Sequence, residues 1–168
     1  MPQRQIIAMG GGGLTSEPGK PTFLPYLLDA CGKEKPRMLC LGTATGDTEK
    51  HILHFYITVN RVGGRPDHIS LWDQPLDMTE RVKAADIVCV GGGNTRNMIA
   101  LWKAAGLDRL LRDAWERGTL LCGQSAGAIC WFRNAQTKSS GEFGAVECLG
   151  FLDGGCAAHY DNVPERRP

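Results

Sequence analysis

The chain has 168 residues, enough for one domain with a substantial core and too few for two large ones. Hydrophobic residues make up 42% and the formal net charge is +1; Lys and Arg are scattered, with no aromatic-laced basic patch, which argues against nucleic acid as a partner. No apolar stretch nears the roughly 20 residues that span a bilayer, and the run 6–9 is too short for a secretory leader, so no membrane partner is expected.

Residues 5–9 form a short apolar run that ends in the glycines 10–13. Residues 21–31 read as a helix with Pro21 at its start. Residues 37–41 read as a buried strand ending at Gly42, and residues 47–62 as a long helix capped by Asp47 or Thr48. A weaker strand over 68–71 precedes a short helix over 78–85, with Thr79 as its cap. Residues 86–90 form another buried strand, closed by the glycines 91–93. Helices follow over 94–105 and 107–117, then a strand over 119–122 and a helix from 126 to 132. The polar, glycine-containing stretch 136–144 reads as an exposed loop.

Strands that are apolar throughout belong to parallel sheets covered on both faces. Their alternation with helices makes the connections βαβ crossovers. The predicted fold is α/β: a doubly wound, mostly parallel sheet flanked by helices, flavodoxin-like, in a single domain over 1–168. In such sheets, sites form at the carboxyl ends of the strands. Three glycine-rich stretches fall there: 10–13, 91–93 and 123–127.

The cysteine count is odd, at seven, and no CxxC pair occurs. Several lie inside apolar runs, as in "MLCLG" and "IVCVGGG". This usage reads as free thiols packed as small hydrophobes in a reducing cytoplasm.

The stretch Gly123-Gln124-Ser125-Ala126-Gly127 matches G-x-S-x-G after a predicted strand and before a predicted helix. A nucleophile on such a tight turn needs small neighbours, and glycine two residues to either side meets that need. The helix that follows aims its N-terminus at developing negative charge. The Ala126 amide is the expected first oxyanion donor, and the loop 91–93 supplies the second.

A serine nucleophile needs a base. His51 and His54 lie on one predicted helix without a nearby carboxylate at metal-ligand spacing, so no metal is expected there. His68 opens a strand and reads as structural. His159 follows the small residues 154–158 and lies downstream of the serine, which makes it the expected base. The acid that orients it is open among Glu142, Glu147, Asp153 and Asp161, with Glu142 preferred.

Phosphate-binding motifs fail on inspection. Gly19-Lys20 lacks the earlier glycine, since Leu14 stands in its place, and Pro21 follows the lysine. The glycines 10–13 have no acidic partner at the distance a dinucleotide site requires. No cofactor is expected.

The motifs "GGGNT" (91–95), "GQSAGA" (123–128) and "HYDNVPERRP" (159–168), with "GGGG" and "LGTAT" upstream, resemble peptidase E, the aspartyl dipeptidases. These are related to cyanophycinase and to class I glutaminase-like domains. The resemblance covers nearly the whole chain. It implies a cofactor-free serine exopeptidase that removes N-terminal aspartate from short peptides through an acyl-enzyme. It implies Ser125 as nucleophile, His159 as base, and Gly92, Gly93 and Ala126 around the oxyanion. Asn94, Arg96 and Arg166 are the expected substrate contacts, because arginine forks suit carboxylates.

Two features depart from that family. The stretch after the elbow helix reads "TKSSGEFG", with Lys138 and Ser139 near the place of a proposed relay aspartate. The family also continues past the "ERRP" stretch, so the sequence is expected to be incomplete at its C-terminal end. An esterase or amidase on the same elbow, and a glutaminase-like domain with a decayed triad, stay open as alternatives. Exposed edge strands are compatible with a homodimer.

Overall fold

A computed structural model describes residues 3–9, 23–73 and 75–160. The glycines 10–13, Pro21, Asp161 and Arg166 lie outside the described residues.

Five short strands build the main sheet: β1 (Ile6–Met9), β2 (Arg37–Leu41), β3 (Arg65–Ile69), β4 (Ile87–Val90) and β5 (Leu120–Gln124). They pair in the order β1-β5-β4-β2-β3, and every pairing is parallel. From β2 the chain runs outward to β3, whereas from β4 it runs the other way to β5. Such a reversal opens a crevice at the carboxyl ends of the strands.

Side chains along a strand alternate between faces. Met38, Cys40, Ile87, Cys89, Leu120 and Cys122 therefore point to one side, against Leu24 and Leu27 of α1 (Leu24–Cys31) and Phe55 and Val59 of α2 (Glu49–Arg61). Leu39, Leu41, Val88, Val90 and Leu121 point to the other. There they meet α3 (Met78–Ala84), α4 (Thr95–Ala105) and α5 (Leu107–Glu116). This is the predicted α/β sandwich, with a helical layer on each face. All seven cysteines are free thiols, and Cys40, Cys89 and Cys122 share one register row across three adjacent strands. Burial pushes the Cys40 thiol up to about 12, as expected of a sulfur used as core.

The structure differs from the sequence expectation in three places. Strand β3 begins at Arg65, three residues ahead of the expected start, and Leu71 falls in a short 3-10 turn instead. Pro66 and two charged residues mask that strand, which is tolerated because β3 is an edge. The helix after the elbow, α6 (Ala126–Ile129), is a single turn. The chain then enters β6 (Phe132–Thr137), which takes up the first residues of the expected loop.

Strands β6, β7 (Gly144–Glu147) and β8 (Leu152–Ala157) form a second, smaller sheet in the order β7-β6-β8. It is stapled to the main domain by Trp131, which is fully buried and lies 6.3 Å from Trp102 and 5.6 Å from Phe151, ring centre to ring centre. Because β8 runs parallel to β6, both strands deliver their ends to the same side as the elbow.

Candidate active site

Strand β5 ends at Gln124, and the chain turns at once into α6. Ser125 sits on that turn with φ 52°, in a region that non-glycine residues seldom occupy. The two flanking glycines make the turn sterically feasible. A Cβ on Gly123 would stand 2.8 Å from the Gly127 Cα, and a Cβ on Gly127 would stand 2.8 Å from the Val90 Cβ. The elbow is thus folded against itself and against β4, as the small-residue pattern requires.

The Ser125 Oγ lies 2.8 Å from the His159 Nε2. With that nitrogen unprotonated, the hydroxyl donates and the imidazole accepts. His159 arrives on the short turn after β8, and its own backbone is left-handed, with φ 58°. Histidine is among the residues enriched in that region. The route to the pair is structural: α6 leads into β6, β8 pairs with β6, and the second residue after β8, His159, meets the serine.

The loop after β4 forms the facing wall. A Cβ on Gly92 would stand 3.3 Å from the Ser125 Cβ, so the backbone there passes close to the serine. Gly93 has φ 138°, and a Cβ on it would stand 3.0 Å from the Ala44 Cβ, inside the turn after β2. The Asn94 N–H donates to the Ala44 carbonyl at 2.8 Å and ties the two loops together. Ala126 opens α6, where helical N–H groups lack intrahelical acceptors. The expected oxyanion residues Gly92, Gly93 and Ala126 thus surround Ser125.

A cavity of about 350 Å³ opens beside the pair, lined by Gly93, Asn94, Thr137, Lys138 and Ser139 as well as by Ser125 and His159. A larger hollow of about 480 Å³ lies at the opposite, amino end of the strands, around Asp86 and Thr119. Among the described residues that line it there is no serine–histidine pair, and open α/β sheets work at their carboxyl ends, so the smaller cavity is the candidate site.

The expected substrate contacts separate. Asn94 lines the cavity, but both ends of its amide are engaged. Its Oδ1 accepts from the Asn97 N–H at 2.9 Å, capping α4, and its Nδ2 donates to the Ser139 carbonyl at 3.1 Å. Arg96 is exposed on the first turn of α4 and is not among the cavity's lining residues. Glu142 is exposed on the turn between β6 and β7 and makes no hydrogen bond to His159. The turn closed by the Gly141 N–H on the Lys138 carbonyl, at 3.0 Å, carries it past the site. Among the described residues, no carboxylate hydrogen-bonds to the His159 ring. Asp153, another acid within reach in sequence, pairs instead with Arg133. Sequence reasoning read 136–144 as an exposed loop and so did not place Thr137, Lys138 and Ser139, at and just past the end of β6, on the cavity wall.

His51 accounts for itself locally: its Nδ1 lies 3.1 Å from both the Thr45 and Thr48 hydroxyls. His68 Nδ1 lies 3.0 Å from the Tyr56 hydroxyl. Among the described residues, no helix is long and apolar enough to cross a membrane.

The sequence model of peptidase family S51 matches residues 6–168. A Bacillus subtilis (strain 168) protein called uncharacterized peptidase YgaJ is 45% identical over 166 residues, which covers 98% of this chain and 72% of that protein. The crystal structure of a peptidase from an acI-B1 Actinobacterium superposes with a TM-score of 0.74 at 18% identity, over 97% of this chain and 70% of the other. A Listeria monocytogenes EGD-e protein, solved as a candidate peptidase E, gives a TM-score of 0.64 at 17% identity, over 88% of this chain and 73% of its own. At those identities the two crystal structures speak to the fold alone.

Proposed function

We propose that this chain, which belongs to peptidase family S51, the peptidase E family, and is a serine peptidase, removes N-terminal aspartate from short peptides. The observation that carries the reading is the 2.8 Å contact between the Ser125 Oγ and the His159 Nε2 on a strained elbow beside a small cavity. A site of about 350 Å³ sits at the low end of the roughly 300–1,000 Å³ usual for ligand pockets, which suits a short substrate.

In this mechanism the Ser125 Oγ attacks the scissile carbonyl carbon while its proton passes to the His159 Nε2. The carbonyl oxygen becomes an oxyanion next to the amides of Ala126 and of the Gly92-Gly93 loop. One such donor typically contributes about 3 kcal/mol to the transition state. Collapse expels the amine, which takes the proton from the imidazolium, and leaves an acyl-enzyme ester on Ser125. Water then attacks the ester, with His159 again accepting a proton, and the serine is regenerated. Among the described residues, the position of His159 is set by its left-handed backbone and the pairing of β8. The free thiols support a reducing, cytoplasmic setting.

Chromogenic p-nitroanilides of aspartate, alanine and leucine test the specificity. The aspartyl amide is expected to be cleaved with the highest kcat/KM. Equal rates on all three would sink the aspartyl assignment while leaving a serine hydrolase in place.

A further inference from the structure

We infer that Ser139 is a positioning residue of the reaction: its hydroxyl and its carbonyl hold the glycine loop after β4 where an oxyanion donor beside Ser125 must stand. The role rests on the serine peptidase reading and deepens it, because an oxyanion forms only if Ser125 attacks a carbonyl.

The loop 91–93 is fastened at both ends to β2 and the turn beyond it. The Gly91 N–H donates to the Leu41 carbonyl at 3.1 Å, and the Asn94 N–H donates to the Ala44 carbonyl at 2.8 Å. Those two amides are spent, so the donor that the loop offers to an oxyanion belongs to Gly92 or Gly93. Gly92 passes the serine: a Cβ on it would stand 3.8 Å from the Ser125 Oγ. Gly93 packs so closely on Ala44 that a Cβ there would collide with the Ala44 carbonyl, so the loop cannot sink further toward β2.

Ser139 holds the loop from a different chain segment. Its Oγ accepts from the Thr95 N–H at 3.0 Å, and its carbonyl accepts from the Asn94 Nδ2 at 3.1 Å. One serine thus grips the two residues that directly follow the loop. The Asn94 Oδ1 accepts from the Asn97 N–H at 2.9 Å, so its amide cannot swing away without uncapping α4. The serine is itself fixed. Its hydroxyl lies 2.8 Å from the Thr137 Oγ1, its N–H donates to the same oxygen at 3.3 Å, and Thr137 is buried at the end of β6. Strand β6 also pairs with β8, which delivers His159. One strand therefore anchors both the base and the oxyanion wall. Preorganised donors act without rearranging as charge develops, and a misplacement of about 1 Å costs on the order of a hundredfold in rate. Loss of the Ser139 hydroxyl frees the Thr95 N–H and slackens the loop on the side that Ala44 does not hold.

The test follows hydrolysis of whichever p-nitroanilide the wild type cleaves fastest, aspartyl, alanyl or leucyl, and labelling of Ser125 by a fluorophosphonate. Ser139→Ala should lower kcat on the order of tenfold to a hundredfold while KM stays within about twofold, since the donor acts in the transition state. Labelling should slow by a similar factor. The pH at which the rate rises should not move, because His159 keeps its place. Ser139→Thr, which retains the hydroxyl, should restore most of both rates, and Ser140→Ala, at the exposed neighbour, should match wild type. Circular dichroism melting shows that each variant is folded at the assay temperature. Unchanged kcat and labelling would overturn the role. A rise in KM alone would do so by making Ser139 a substrate contact, and a shifted pH profile with no loss on its plateau by making it a support of His159. A loss that Ser139→Thr does not restore would also overturn it. Failure of the peptidase reading looks different: the wild type itself would neither cleave nor label, and the positioning role would fall with it. Failure of the aspartyl assignment alone changes which amide is used and none of these outcomes.

Discussion

Gly127 packs directly against Val90: a Cβ on the glycine would stand 2.8 Å from the Val90 Cβ and would collide with the Val90 carbonyl. The contact joins the elbow to the neighbouring strand β4. Gly127→Ala must therefore push α6 away from the sheet, and the backbone of Val90 has no room to yield. Overpacking of this kind costs about 1–3 kcal/mol. Urea denaturation should report that loss, with a fall in turnover as the serine is displaced. Gly144→Ala is the matched control, since a Cβ there meets nothing within 4 Å, and it should leave stability within about 0.5 kcal/mol.

Ser139 ties the segment after β6 to the first turn of α4. Its hydroxyl accepts from the Thr95 N–H, the first of α4, where no intrahelical acceptor exists. Ser139→Ala leaves that amide without its protein partner and should cost about 0.5–1.5 kcal/mol by urea denaturation. A stability equal to wild type would mean that solvent replaces the hydroxyl without loss.

Asp47 offers a pH signature in the scaffold behind the site. Its backbone is left-handed, with φ 53°, and its Oδ2 accepts from the Leu71 N–H at 3.2 Å. Its Oδ1 is buried without a partner among the described residues. Burial raises the carboxyl above its ordinary value of 3.8, opposed in part by the Leu71 amide and by His68. The folded state therefore holds the proton more tightly than the unfolded chain does. Ionised Asp47 opposes folding at neutral pH, and that opposition fades as the pH falls through the folded value toward 3.8. Asp47→Asn keeps an acceptor for Leu71 and tolerates the left-handed backbone. It should be more stable than wild type at pH 7, with the advantage vanishing near and below about pH 4. A variant less stable at neutral pH would show that the charge itself contributes favourably.

The main sheet was legible because its central strands are apolar on both faces. "MLCL" and "IVCV" declare themselves as buried parallel strands, and the glycines after them mark the working edge. The elbow was legible because Gly123 and Gly127 are sterically compelled. The second sheet was not. Strand β6 reads "FRNAQT" and β8 reads "LDGGCA", compositions that strands usually avoid. Their pairing and the burial of Trp131 hold them, and neither is a local property. His159 could be proposed from its place in the chain, but its approach to Ser125 depends on β8 joining β6. For the same reason the place of Lys138 and Ser139 on the cavity wall was hidden: without β6, nothing in "TKSSGEFG" says which residues line the cavity.

Ser125 as the nucleophile activated by His159 is the central claim, and covalent trapping tests it most directly. The protein is treated with a fluorophosphonate, digested, and mapped by mass spectrometry, alongside Ser125→Ala and His159→Ala. The account predicts one adduct, on Ser125, absent from Ser125→Ala and formed roughly 10²–10⁴-fold more slowly in His159→Ala. An unlabelled wild type, an adduct on another residue, or unchanged labelling without His159 would contradict it.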